Sequence, residues 1–208
     1  MGSGLSIHEQ QTLLMNRIAV YCGSASPRDQ RFIEVAKEVG KVLANRGIGI
    51  VYGGGKLGLM GALAKAGLAC GGEVIGVIPE SLSRSEITNH ECSKLYTVNS
   101  MHERKQLFTE LSDGFIAIPG GVGTMDELWE ALSWAQLGYH SKPVGLLNAM
   151  GFFDHLLAFK KKMEETGFIR QVHHSILNHS DDLNDLIDQM LAYKPHTPIL
   201  SMLNDNPL

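Results

Sequence analysis

Short, continuously apolar runs alternate along this chain with longer segments whose apolar residues recur every three to four positions. The runs predict strands at 17–22, 49–52, 74–78, 95–98, 114–118 and 144–147. Ser26-Pro27 reads as the start of a first helix, continued by Phe32, Val35, Ala36, Val39, Val42 and Leu43 and closed by Asn45 and Gly47. Further helices are predicted at 59–69, 101–111, 124–137, 152–165 and 181–192. Strands without polar alternation are covered by helices on both faces. Strict alternation of strand and helix implies right-handed crossovers and a parallel sheet. The expectation is one α/β domain over 17–193, a doubly wound parallel sheet with helices on both faces. A flexible extension over 1–16 precedes it, and a loose tail with three prolines over 194–208 follows.

Composition removes several classes of function. Of 208 residues, 44% are hydrophobic and 19% charged, which excludes general disorder. The formal charge of −4 argues against a nucleic-acid partner or an anionic membrane surface, though not against a local phosphate site. Cys22, Cys70 and Cys92 are far apart and form no CxxC, so neither a disulfide framework nor a zinc cluster is expected, and a reducing cytoplasm fits. No run approaches the roughly 20 apolar residues of a membrane span.

The chemistry concentrates at the ends of three strands. Gly23-Ser24-Ala25-Ser26, Gly53-Gly54-Gly55 and 119–124 (Pro-Gly-Gly-Val-Gly-Thr) are all strand-to-helix turns, so the topology puts them on one edge of the sheet. Glycine lets backbone N–H groups approach an anion, and the following helix adds its positive end. Three such turns point to a phosphate-bearing ligand. Gly53-x-Gly55-x-x-Gly58 fits a dinucleotide fingerprint, but the acidic residue that would hold the ribose is missing from the next strand's end: Glu73 opens that strand and Glu80 follows Pro79. Lys56 is not followed by a hydroxyl residue, so the loop is not a Walker A either.

Arg104 and Lys105 place two cations in the first turn of a helix, where they oppose its dipole unless an anion sits there. Asp126 and Glu127 open the helix after the third loop, about 100° apart, so only one of them can face a ligand. Glu127 lies one turn past Gly123 and is the better placed. A carboxylate beside a phosphate loop repels the anion unless it meets developing positive charge or activates water. His173, His174 and His179 form no metal spacing and are read as surface or structural; Cys22 is read as a small buried residue. No metal or cofactor is expected.

These residues carry a family resemblance. The 119–127 segment matches the signature PGGxGTxxE, and 101–105 (Met-His-Glu-Arg-Lys) matches its companion MHxRK. Over 18–191 the chain resembles the LOG ("Lonely guy") family of cytokinin riboside 5′-monophosphate phosphoribohydrolases. The resemblance implies a Rossmann-like homodimer that hydrolyses the N-glycosidic bond of AMP or N6-prenylated AMP to free base and ribose 5-phosphate. It assigns catalysis to Arg104 and Glu127. It assigns substrate contact to Glu86, Lys105, Gly120, Gly121, Gly123, Thr124 and Ser133, and the glycine turns themselves add Ser24, Gly54 and Gly55 as substrate-binding residues. Relatives are often labelled lysine decarboxylases, yet nothing in the sequence marks a pyridoxal-phosphate lysine. By analogy with glycoside hydrolysis, Glu127 would meet an oxocarbenium-like sugar and orient water, while Arg104 grips phosphate or steadies Glu127. The competing reading is a non-catalytic nucleotide-binding module, since doubly wound folds bind nucleotides without always transforming them. Trp129, Leu132, Trp134 and Leu137 make the 124–137 helix apolar on more than one face, and it is the expected dimer surface.

Overall fold

The six apolar runs become the strands β1 (Arg17–Tyr21), β2 (Gly49–Tyr52), β3 (Val74–Pro79), β4 (Lys94–Val98), β5 (Gly114–Ala117) and β6 (Val144–Leu147), and a seventh strand that the sequence pattern did not predict, β7 (Leu177–Ser180), joins them. The structure is a computed structural model that describes residues 14–83 and 87–201. The strands form one sheet in the order β4-β3-β2-β1-β5-β6-β7, with all neighbours parallel. The intervening helices are α1 (Arg31–Asn45), α2 (Gly58–Ala69), α3 (Met101–Leu111), α4 (Val122–Leu137), α5 (Asp154–Glu165) and α6 (Leu183–Leu191).

Alternation within each strand divides the core into two layers. Ile18 and Val20 of β1 pack with Val39 and Leu43 of α1, Leu63 of α2 and Leu186 of α6. Ala19 and Tyr21 of the same strand pack on the other face with Phe108 of α3 and Leu128 and Leu132 of α4. This is the doubly wound sheet expected from the sequence. From β1 the chain crosses to β2 on one side, and from β5 it crosses to β6 on the other. The carboxyl ends of the adjacent strands β1 and β5 therefore open a crevice, where such folds bind ligands.

The structure departs from the expected boundaries in four places. The first helix begins at Arg31 rather than at Ser26-Pro27, because the Asp29 carboxylate accepts from the Arg31 N–H at 3.0 Å and holds the preceding loop. The helix after the third glycine loop begins at Val122, so Gly123 and Thr124 lie in its first turn. The extension expected through Asn16 ends earlier: Met15 is buried in the core, and the Asn16 N–H donates to Asp113 at 2.8 Å. The tail expected to be loose from 194 is docked through part of its length. His196 Nε2 lies 2.9 Å from the Ala135 carbonyl, and the Thr197 carbonyl lies 3.0 Å from Nε2 of the buried His173. No helix among the described residues is long and apolar enough to cross a membrane.

Candidate active site

The three glycine turns meet at the β1–β5 crevice because two glycines let them touch. Gly58 has φ +58°, and a β-carbon there would lie 2.5 Å from the Ser24 carbonyl oxygen, so the second loop can cross the first only with glycine. Gly120 faces Gly23 with no room for a side chain: a β-carbon would lie 2.9 Å from the Gly23 nitrogen and would collide with the Thr124 hydroxyl. Backbone bonds complete the junction, from the Gly23 N–H to the Pro119 carbonyl and from the Met60 N–H to the Gly23 carbonyl, both 3.3 Å.

The joined loops surround a pocket of about 610 Å³, within the size of small-molecule sites. One wall is polar, with Ser24, Gly121, Gly123, Thr124, Arg104 and Glu127. An apolar wall is made by Leu57, Met60, Ile78, Leu82, Ile87 and Met101, and the Met101 sulfur lies 3.9 Å from Nη1 of Arg104. Gly121 is the residue before α4, and no side chain caps that helix, so its first N–H groups face the pocket's polar end with the helix dipole behind them.

Arg104 comes from the first turn of α3, whose start is fixed by two side-chain-to-backbone bonds. The Ser100 hydroxyl accepts from the Glu103 N–H at 3.1 Å, and the Glu103 carboxylate accepts from the Asn99 N–H at 2.7 Å. The Arg104 side chain turns inward and is buried. Its Nε donates to the Val77 carbonyl at 3.1 Å, and its guanidinium carbon lies 5.2 Å from the Phe108 ring centre. Nη1 lies 3.6 Å from Oε1 of Glu127, a charge pair just short of a hydrogen bond.

Glu127 projects from the second turn of α4 and is only 6% exposed. Burial pushes its carboxyl up to about 7, and the neighbouring carboxylates Asp126 and Glu130 push the same way, while Arg104 and Lys105 pull it down. The group is thus poised between its two protonation states near neutral pH, as suits a proton acceptor. Cys22 also lines the pocket, but burial raises its thiol far above the range of a nucleophile.

The sequence-expected substrate residues fall into two groups. Ser24, Gly55, Gly121, Gly123 and Thr124 line the pocket with Arg104 and Glu127. Gly54 has φ +73° and packs toward Ile78, and Gly120 serves the loop junction. Lys105 points away from the pocket to Glu130 at 2.7 Å and Asp126 at 3.3 Å. Two carboxylates of the next helix therefore pair with the second cation of that turn. Ser133 lies about three turns into α4, in a separate groove with Trp129, Gln136 and Phe168. Glu86 lies outside the described residues. Reading by residue type passed over the apolar wall, although Met60 and Met101 sit inside the loop and helix motifs and were available to be seen.

The fold and the loops define an α/β protein of the doubly wound class, with a buried arginine–glutamate pair in its crevice. A family model described as "Possible lysine decarboxylase" matches residues 60–190. The chain is 45% identical to the probable cytokinin riboside 5′-monophosphate phosphoribohydrolase LOGL9 of Oryza sativa subsp. japonica, over 86% of this chain and 79% of that protein. It is 42% identical to the cytokinin riboside 5′-monophosphate phosphoribohydrolase LOG5 of Arabidopsis thaliana, over 86% and 78%. The chain belongs to this LOG family. Among solved structures, the molybdenum cofactor carrier protein of Chlamydomonas reinhardtii superposes with a TM-score of 0.65 at 23% identity, covering 85% of this chain and 98% of that one, which shows a shared fold.

A decarboxylase using pyridoxal phosphate would need a lysine amine to hold the aldehyde. Among the described residues no lysine lines the pocket, and Lys105 is held by two carboxylates outside it. The residues present do not fit that group.

Proposed function

We propose that this protein hydrolyses the N-glycosidic bond of adenosine 5′-monophosphates, including those with an apolar N6 substituent, to free base and ribose 5-phosphate. The observation that carries the reading is the buried Glu127 beside Arg104 at the end of a glycine loop. A pure phosphate binder gains nothing from that carboxylate, whereas a glycosidase needs it.

The loop 119–124 and the α4 N-terminus take the phosphate. A β-carbon on Gly121 or Gly123 would meet no protein atom within 4 Å, so packing does not demand glycine there and close approach of an anion does. The purine lies along Leu57, Met60, Ile78 and Ile87, a wall that suits an alkyl or prenyl group. As the C1′–N9 bond breaks, its electron pair leaves with the base and positive charge grows at C1′. The Glu127 carboxylate stabilises that charge and accepts a proton from the water that adds to C1′; the departing base anion takes up one proton from solvent and Glu127 returns its own to solvent, which leaves free base and ribose 5-phosphate. Arg104 steadies Glu127 and contributes fixed positive charge beside the phosphate.

The reading is tested by comparing a 5′-monophosphate with its nucleoside. Because the loops bind an anion, AMP or N6-isopentenyl-AMP is expected to be cleaved at least about 10²-fold faster, in kcat/KM, than the nucleoside. The same activity is expected in EDTA, since the guanidinium and helix end supply the positive charge. Equal rates on nucleoside and nucleotide would overturn the phosphate site.

The protein works as a homodimer in a reducing, cytoplasmic setting. The half-exposed Trp129 and the 83% exposed Phe168 flank a groove of about 220 Å³ between α4 and the segment after α5, an apolar surface that a second copy would cover. Light scattering coupled to gel filtration is expected to give twice the chain mass, and Trp129→Lys is expected to lower it. A monomeric wild type would refute the dimer. A folded Trp129→Lys variant that stays dimeric would move the interface elsewhere.

A further inference from the structure

The loop at the end of β2 holds three consecutive glycines, and they differ in what they require. Gly54 has a positive φ, which favours glycine directly. Gly53 does not, so its backbone would accept alanine. What it lacks is room. A β-carbon at position 53 would collide with Nη2 of Arg104, and would lie 2.8 Å from Cε and 3.0 Å from Sδ of Met60. The guanidinium therefore occupies the volume that any other residue would fill with its side chain.

The other restraints on Arg104 fix parts of it. The Val77 carbonyl holds Nε at 3.1 Å. The Phe108 ring, with its centre 5.2 Å from the guanidinium carbon, supports it from its own helix. Glu127 and the Met101 sulfur lie 3.6 and 3.9 Å from Nη1. The Nη2 edge lies over Gly53 at the end of β2, where the glycine has no side chain to stop it.

We propose that Gly53 is a positioning residue for Arg104: its missing side chain is the slot that lets the guanidinium lie between the Val77 carbonyl and Glu127. This rests on Arg104 acting in the reaction proposed above. The slot gives Gly53, which also lines the pocket, a steric reason to lack a side chain that its dihedral angles do not supply.

The collision is with the far ends of two flexible side chains, so Gly53→Ala is expected to fold. To restore ordinary contact, Arg104 must retreat by roughly an ångström, a misplacement that costs on the order of 10²-fold when a reacting geometry depends on it. The expected result is a kcat lowered about 10- to 100-fold with KM for AMP changed less than about fivefold. Arg104 pulls the Glu127 carboxyl down, so moving it away also shifts the rising limb of the pH–rate profile to higher pH. A generic loss of stability would not move that limb.

The decisive comparison is a double-mutant cycle with Arg104→Ala. With no guanidinium to displace, Gly53→Ala in that background is expected to change the residual rate less than about twofold. A Gly53→Ala enzyme with wild-type rate, or an equally large loss in both backgrounds, would overturn the slot. Arg104→Ala at wild-type rate would instead overturn the role of Arg104 itself. Should Gly53→Ala alone fail to fold, the double variant decides. Recovery of folding on removing Arg104 supports the steric competition, and failure of both overturns it.

Discussion

Glu127→Gln is expected to lose about 10²-fold or more in kcat, keep its affinity for AMP, and become more stable above neutral pH. The substitution keeps the volume and removes only the charge, so packing in the second turn of α4 survives. The chemical loss follows from the role of the carboxylate, which must be ionised to meet the growing cation and take the proton from water. Its carboxyl is pushed up to about 7 by burial, so kcat/KM of the wild type should fall as pH drops below about 7 and level off above it. The sign for stability is opposite. A carboxyl whose folded value lies above its unfolded one favours the fold when protonated, and that advantage is lost as pH rises through about 7. Glutamine carries no such penalty, so its melting temperature at pH 8 should exceed that of wild type by a few degrees. A wild-type rate, or a lower melting temperature at pH 8, would return Glu127 to the role of an ordinary helix-start carboxylate.

Arg104→Lys is expected to cost about 10²- to 10³-fold in kcat/KM even though it preserves the charge. Arg104 meets the Val77 carbonyl through Nε and Glu127 through Nη1. It also fills the space over Gly53 with Nη2. A single ammonium on a flexible stem cannot hold these positions together, and a buried lysine tends to shed its proton. Steady-state kinetics against AMP check this, and a loss below about fivefold would mean that charge alone suffices.

The sequence carried much of the site because its chemistry is local. The loop 119–124 and Glu127 are consecutive, Arg104 lies in a five-residue segment, and both were readable as motifs. What escaped depends on contacts between distant elements. The cation of Lys105 is taken by Asp126 and Glu130 of the next helix, and no spacing within α3 announces that pairing. Strand β7 reads Leu-Asn-His-Ser, with only Leu177 buried. As an edge strand it needs little apolar surface, so it gave no periodic signal. Met15 and the docked tail were missed for the same reason: a single buried methionine, and histidines bonded to the carbonyls of Ala135 and Thr197, are tertiary facts. The two-layer core was legible because every central strand is apolar on both faces.

The central claim is hydrolysis at the glycosidic bond, and the most direct test is to identify the products. The purified protein is incubated with AMP and with N6-isopentenyl-AMP, and free base and ribose 5-phosphate are measured by chromatography, with Glu127→Gln run in parallel. Base and ribose 5-phosphate in equal amounts from wild type, with almost none from the variant, is the expected result. Release of nucleoside and inorganic phosphate, or binding without any product, would contradict it.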